Sequence, residues 1–188
     1  MRNALAPLMV LSVALPSLAD ARPITAGVDL GLSAAKSQGE GADPGTTVGL
    51  FARVGLTSRL SGQLEVQRIR MPDGYGTSGD IKTATALLVV ELGRSGNLVP
   101  TLMVGAGVDR ASEYNYPSRA THIEGGFGLE YRMSGGFSLG ADLRMGGRSL
   151  DEDEYVAYDD RPQIALYAPS PLQAGEYRSG RVTLGVRF

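Results

Sequence analysis

From Ile24 onward, apolar and polar residues alternate in eight runs separated by turn signals. A two-residue period places one set of side chains on each face of an extended strand. The first predicted strand sets Ile24, Ala26, Val28, Leu30 and Leu32 against Thr25, Gly27, Asp29, Gly31 and Ser33. The second sets Val48, Leu50, Ala52, Val54 and Leu56 against Thr47, Gly49, Phe51, Arg53 and Gly55. In the third, Leu60, Leu64 and Val66 oppose Ser61, Gln63, Glu65 and Gln67. Its far end, Arg68-Ile69-Arg70, departs from the alternation, which a bulge or the water interface would allow. The fourth, about residues 81–92, is the least regular, because Leu87 and Val89 share the face of Thr83, Thr85 and Glu91.

The fifth strand runs from Leu98 to Asp109, with Pro100 near its start, where a missing donor is tolerated. The sixth sets Ile123, Phe127, Leu129 and Tyr131 against His122, Glu124, Gly126, Gly128, Glu130 and Arg132. The seventh sets Phe137, Leu139, Ala141, Leu143 and Met145 against Ser138, Gly140, Asp142, Arg144 and Gly146. The eighth is RVTLGVRF, in which Val182, Leu184, Val186 and Phe188 alternate with Arg181, Thr183, Gly185 and Arg187. Connections at 34–45, 71–80, 111–119 and 147–175 are long, and those at 57–59, 93–97 and 133–136 are short. Long and short therefore alternate, so all long loops fall at one end of an up-and-down arrangement. A soluble sandwich has no reason to sort its loops in this way.

The polar face is rich in Gly, Thr and Ser with single charges embedded, which suits the packed interior of a narrow barrel. The apolar face is aliphatic in mid-strand, with Tyr131, Phe137 and Phe188 near the short-turn end. Such a face meets lipid, and the aromatic residues form one girdle of a membrane barrel. Tyr114, Tyr116, Tyr155 and Tyr158 form a thinner counterpart near the long loops. Strands of 9 or more residues are long enough to cross a bilayer at a tilt. The fold expected is all-β: an eight-stranded antiparallel up-and-down transmembrane β-barrel.

In this architecture and in its terminal RVTLGVRF, the chain resembles the small outer-membrane β-barrel family of Gram-negative bacteria. It is similar over about residues 24–188 to the eight-stranded barrel domain of outer membrane protein A. The resemblance implies an outer-membrane location, contact with outer-membrane lipid and lipopolysaccharide, and insertion by the barrel-assembly machinery. It also implies that Val182, Leu184, Val186 and Phe188 are the assembly signal. The family has no shared activity, so the fold leaves the function open.

The amino-terminus adds a compartment. Arg2, the apolar stretch from Leu5 to Leu15 and the small residues at Ala19 and Ala21 predict a signal peptide over residues 1–21, cleaved after Ala19 or Ala21. Residues 22–188 then form the barrel. The absence of cysteine excludes a disulfide framework and a thiolate metal site. A net charge of −2 offers no electrostatic basis for nucleic-acid binding. Gly at 26 of 188 residues, without a repeat period, assigns the glycines to strands and turns.

Twelve charges are expected in the interior: Asp29, Arg53, Glu65, Glu91, Asp109, Glu124, Glu130, Arg132, Asp142, Arg144, Arg181 and Arg187. In a narrow lumen they must pair, since an isolated buried charge costs several kcal/mol. Their network either plugs the lumen or gates a narrow pore for ions or small solutes. His122 raises a third possibility. Some eight-stranded outer-membrane barrels are lipid A deacylases with a histidine, a serine two residues later and a nearby carboxylate. Here Glu124 stands where that serine is needed, so the attacking group is missing and His122 is expected to be an ordinary residue near the outer rim.

Asp151, Glu152, Asp153 and Glu154 open the longest loop, followed by Tyr155, Tyr158, Asp159, Asp160, Arg161 and Pro162. The acidic cluster matches no calcium-loop spacing and reads as a solvated face. The length of the loop suggests adhesion or partner contact. The function expected is thus non-enzymatic, with no cofactor and no metal. It is structural or surface-exposed, with an unidentified extracellular partner.

Overall fold

A computed structural model describes residues 23–35, 44–71, 80–93, 95–113, 116–150 and 174–188. The proposed signal peptide and most of the loops at 34–45, 71–80 and 147–175 lie outside these residues. So do Tyr114, Tyr155, Tyr158 and the acidic run beginning at Asp151. Eight strands are present: β1 (Ile24–Ala35), β2 (Gly45–Gly55), β3 (Leu60–Arg70), β4 (Asp80–Glu91), β5 (Leu98–Glu113), β6 (Tyr116–Arg132), β7 (Phe137–Leu150) and β8 (Gly175–Arg187). Each pairs antiparallel with its sequence neighbours, and β8 pairs with β1 to close the barrel.

Closure leaves no open edge, and the ladder extends to the last residue, where the Phe188 amide donates to the Ile24 carbonyl at 2.8 Å. A circuit of paired residues from Thr25 runs through Arg53, Gln63, Leu87, Gly105, Glu124, Gly146 and Tyr177. It returns to β1 at Ala35, so the stagger is ten residues, from 25 to 35. Strand number and stagger together fix the tilt, at about 35–45° for a barrel of this kind.

The two faces divide as the alternation predicts, but with the usual globular arrangement inverted. The outward side chains are large and apolar, among them Leu64 (66% exposed), Ile123 (69%) and Leu143 (70%). The inward set is polar: Asp29, Glu65, Gln63, Thr101, Asp109 and Arg144 are all buried. Leu87 and Val89 also point inward, where they pack with Met103 as a small apolar patch.

At the short-turn end, Gly135 and Gly136 take positive φ (91° and 86°), a conformation that other residues rarely adopt. The turn at 57–59 is closed by the Leu56 and Thr57 amides on the Leu60 carbonyl.

The bulge falls from the two alternatives left open at Arg68-Ile69-Arg70, and the long loop expected at 111–119 is corrected. Arg68-Ile69-Arg70 contains no bulge, because the β2–β3 register runs unbroken through Thr46↔Arg70, Thr47↔Ile69 and Val48↔Arg68. Ile69 faces inward and packs with Ile81, Ala111 and Ala120, while both arginines face outward. Residues 111–119 do not form a long loop either. β5 and β6 continue as a hairpin paired to Ser112↔Pro117 and Glu113↔Tyr116. Among the described residues the last β6–β7 pair is Ala120↔Leu150.

In a lipid bilayer, Leu64→Arg places a charge near mid-strand on the lipid face. Equilibrium guanidinium unfolding in vesicles is expected to show a loss of about 2–4 kcal/mol. A neutral result would mean that this face does not meet hydrocarbon.

Candidate functional site

The inward polar residues form three connected layers. Nearest the short turns, Arg53 donates to Glu130 (2.5 Å) and Gln63 (2.5 Å). Arg132 bridges Glu130 (2.7 Å) and Glu91 (2.5 Å). In the middle, Arg144 contacts Glu65 (2.8 Å), Glu124 (2.6 Å) and Asp142 (2.9 Å). Arg181 reaches Glu65 (2.8 Å) and Asp142 (3.1 Å), with Asp29 at 4.0 Å. Gln67 donates to Asp29 (3.1 Å) and Glu65 (3.2 Å) and so joins β1 to β3 through side chains.

Toward the long-loop end, Asp109 is the hub. Arg148 donates to it at 2.5 Å and Thr83 at 2.7 Å, while His122 Nδ1 stands 3.2 Å away, off the line of a hydrogen bond. His122 Nε2 lies 3.2 Å from Thr85 Oγ1. The Tyr177 hydroxyl donates to Glu124 at 2.6 Å and links this layer to the middle one.

The arginines can cross the lumen because glycines on neighbouring strands leave room beside them. A Cβ on Gly31 would lie 2.6 Å from Arg181 Cγ, and one on Gly126 would lie 2.7 Å from Arg144 Cγ. The glycine-rich polar face is therefore the space that the long ionic side chains occupy. The central layer holds two guanidiniums against four carboxylates, and the Asp29 Oδ2 atom has no hydrogen-bond partner.

Eleven of the twelve charges read from the sequence take part in this network. Arg187, on the same parity, is exposed at the barrel mouth and forms no ion pair with a described residue. His122 lies on the inward face, as the alternation places it, and toward the long-loop end; it is buried in the lumen at 4% exposure beside Asp109, Thr85 and the Tyr177 ring. Arg148 and Tyr177 lie beyond the ends that the alternation alone predicts for the seventh and eighth strands, since β7 runs on to Leu150 and β8 starts at Gly175. The signal was present, since Asp142, Arg144, Gly146 and Arg148 keep one parity, as do Tyr177, Ser179 and Arg181.

Thr85, His122 and Asp109 lie in the order of a hydroxyl–imidazole–carboxylate relay, but they line a cavity of only about 20 Å³. That is space for about one water molecule. An acyl chain cannot enter it. Among the described residues, no group of His, Asp and Glu is arranged to hold a metal ion.

An antiparallel barrel of eight strands, with an aliphatic exterior and an ionic interior, is a transmembrane β-barrel. The chain belongs to the outer membrane protein beta-barrel domain family, whose model matches residues 4–166, and the protein resides in the outer membrane of a Gram-negative cell. No curated protein matches it.

Among solved structures it is similar to Neisserial surface protein A, with a TM-score of 0.62 at 14% identity, covering 89% of this chain and 96% of that one. It is also similar to the N-terminal barrel domain of Pseudomonas aeruginosa OprF, with a TM-score of 0.52 at 16% identity, covering 87% and 97%. A third is Ail, the attachment invasion locus protein of Yersinia pestis, in complex with the heparin analogue sucrose octasulfate. Its TM-score is 0.53 at 16% identity, covering 89% and 99%. At these identities the likeness is one of fold.

Arg144→Met leaves Glu65, Glu124 and Asp142 without their shared cation. Denaturant unfolding in vesicles is expected to show a loss of about 3–5 kcal/mol. Adding Glu65→Gln to that variant should recover part of the loss, because the two positions are directly coupled. Additive losses would show that the pair does not interact.

Proposed function

We propose that the protein is a non-enzymatic outer-membrane barrel that carries long surface loops for adhesion or partner contact. The observation that carries this reading is the filled lumen: paired ionic side chains from all eight strands span the interior in three layers. Such an interior holds the scaffold rigid and closed, which leaves contact with the outside to the loop end. The β5–β6 hairpin supports the same view, since its pairing continues at the long-loop end to Glu113↔Tyr116. Ail, which shares the scaffold, is an attachment protein.

A narrow cation pathway is the second reading, favoured by the surplus of carboxylates in the central layer. Reconstitution in planar bilayers separates the two. The plugged scaffold gives no current at any voltage, and cation-selective steps would replace it with the pore. A lipid A-modifying enzyme has less support, because His122 faces the lumen and Glu124 is tied to Arg144 and Tyr177.

The outward strip Val182, Leu184, Val186 and Phe188 is the proposed recognition signal for the barrel-assembly machinery, and residues 1–21 are the proposed export signal. Phe188 is 79% exposed, so little packing holds its side chain. Phe188→Ala is expected to lower the amount of protein in the outer membrane several-fold, while the unfolding midpoint of refolded protein stays nearly unchanged. An equal fall in both would reduce Phe188 to a structural role.

A further inference from the structure

The outward face is apolar up to a level near the long-loop end, where it changes abruptly. Arg68 is paired in register with Lys82, Lys82 with Arg110, and Arg110 with Arg119. All four point away from the lumen and are exposed. Four cations thus stand side by side across β3, β4, β5 and β6, and Arg70 lies one outward position above Arg68. Asp80 is the only carboxylate among the described residues that pairs with any of them: it binds Arg68 and lies 3.8 Å from Arg70. Lys82, Arg110 and Arg119 form no ion pair with a described residue.

Like charges directly opposite one another across strands repel. Among the described residues only Asp80, at the Arg68 end, answers this row, which leaves Lys82, Arg110 and Arg119 open to charge from outside. Its level in the membrane identifies the source. On β3 the outward residues Leu60, Leu64 and Val66 precede Arg68, and on β5 Leu102, Val104, Ala106 and Val108 precede Arg110. The row therefore begins where the hydrocarbon-facing band ends, at the end opposite the short turns. Strands about 4.8 Å apart and tilted by about 40° raise the row roughly 9 Å from Arg68 to Arg119. That height spans the headgroup layer rather than a single plane.

Directly below the row, an outward groove of about 390 Å³ is lined by Val28, Val48, Leu50 and Val66 and ends at Arg68 and Lys82. An apolar groove that leads up to a line of cations fits an amphiphile with acyl chains below and phosphate groups above. Arginine and lysine in such a line bind phosphate oxygens by charge-assisted hydrogen bonds.

We propose that the outer face of β1–β6 is a binding site for phosphorylated lipid A of the surrounding outer leaflet. An acyl chain lies along the Val28–Val66 groove, and the glucosamine phosphates sit on Lys82, Arg110 and Arg119, with Arg68 at the lower end. The row holds a ring of outer-leaflet lipid against the barrel and orients the loops above it.

The test uses the whole folded barrel in detergent and calorimetric titration with three probes: bisphosphorylated lipid A, the same lipid enzymatically dephosphorylated, and sucrose octasulfate as an acyl-free polyanion. The phosphorylated lipid is expected to bind at least about ten-fold more tightly than the dephosphorylated one, a preference weakened by salt. The Lys82→Gln, Arg110→Gln, Arg119→Gln triple variant leaves the Arg68–Asp80 pair and every ladder bond in place. It should abolish that preference while the barrel still shows heat-dependent gel mobility.

Val66→Trp partly fills the groove and should weaken both lipids without changing the ratio between them. Equal binding of the two lipids to the wild-type barrel would overturn the proposal. So would a triple variant that keeps the preference. Sucrose octasulfate binding as tightly as lipid A would also overturn it, by making the row a site for soluble polyanions.

Discussion

The structure depends on one constraint: inside a bilayer no water is available to hydrogen-bond the backbone, so every N–H and C=O must find a partner within the chain. An open sheet fails this test at its two edges. The β1–β8 pairing removes both, and it continues to the last residue through the Phe188 amide. Closure at eight strands with a stagger of ten then fixes the radius. A barrel of this width has an interior that side chains can fill, and the nature of the interior follows from that width.

Because the outside must be apolar, the polar residues of each alternating strand have only the lumen left to occupy. There they are cut off from bulk water almost as fully as in a globular core, and each charge must meet its opposite. Four arginines in the middle and lower layers, together with Arg148 above, supply the cations. Glu65, Asp142, Asp109 and their neighbours supply the acceptors. The glycines on the same face give these long side chains their reach. Composition, packing and electrostatics are thus consequences of one geometric choice. The same network encloses the relay-like trio at Thr85, His122 and Asp109 around a cavity of only about 20 Å³.

The basic row on the outside is the counterpart of this interior. Charges inside the barrel are paired by the fold, whereas Lys82, Arg110 and Arg119 form no ion pair with a described residue. They stand at the upper limit of the apolar band, where the outward face changes from aliphatic to basic.

The alternation of residues from Ile24 to Phe188 by itself determined the number of strands, their order, which side chains face lipid and which face inward. A period of two leaves no other way to separate apolar from polar positions in a closed sheet. It also determined that the inward charges must pair. Which arginine meets which carboxylate depends on the stagger, since sliding one strand by two residues preserves every facing and changes every partner. That quantity is a property of the closed ring, and no single strand encodes it. The continuation of the β5–β6 hairpin to Glu113↔Tyr116 was likewise invisible locally, because Ser, Asn and Pro in this stretch are turn-forming residue types and only the pairing across the two strands overrides that signal. The basic row is legible only after closure, for Arg68, Lys82, Arg110 and Arg119 are scattered over fifty residues of chain and become neighbours through the register alone.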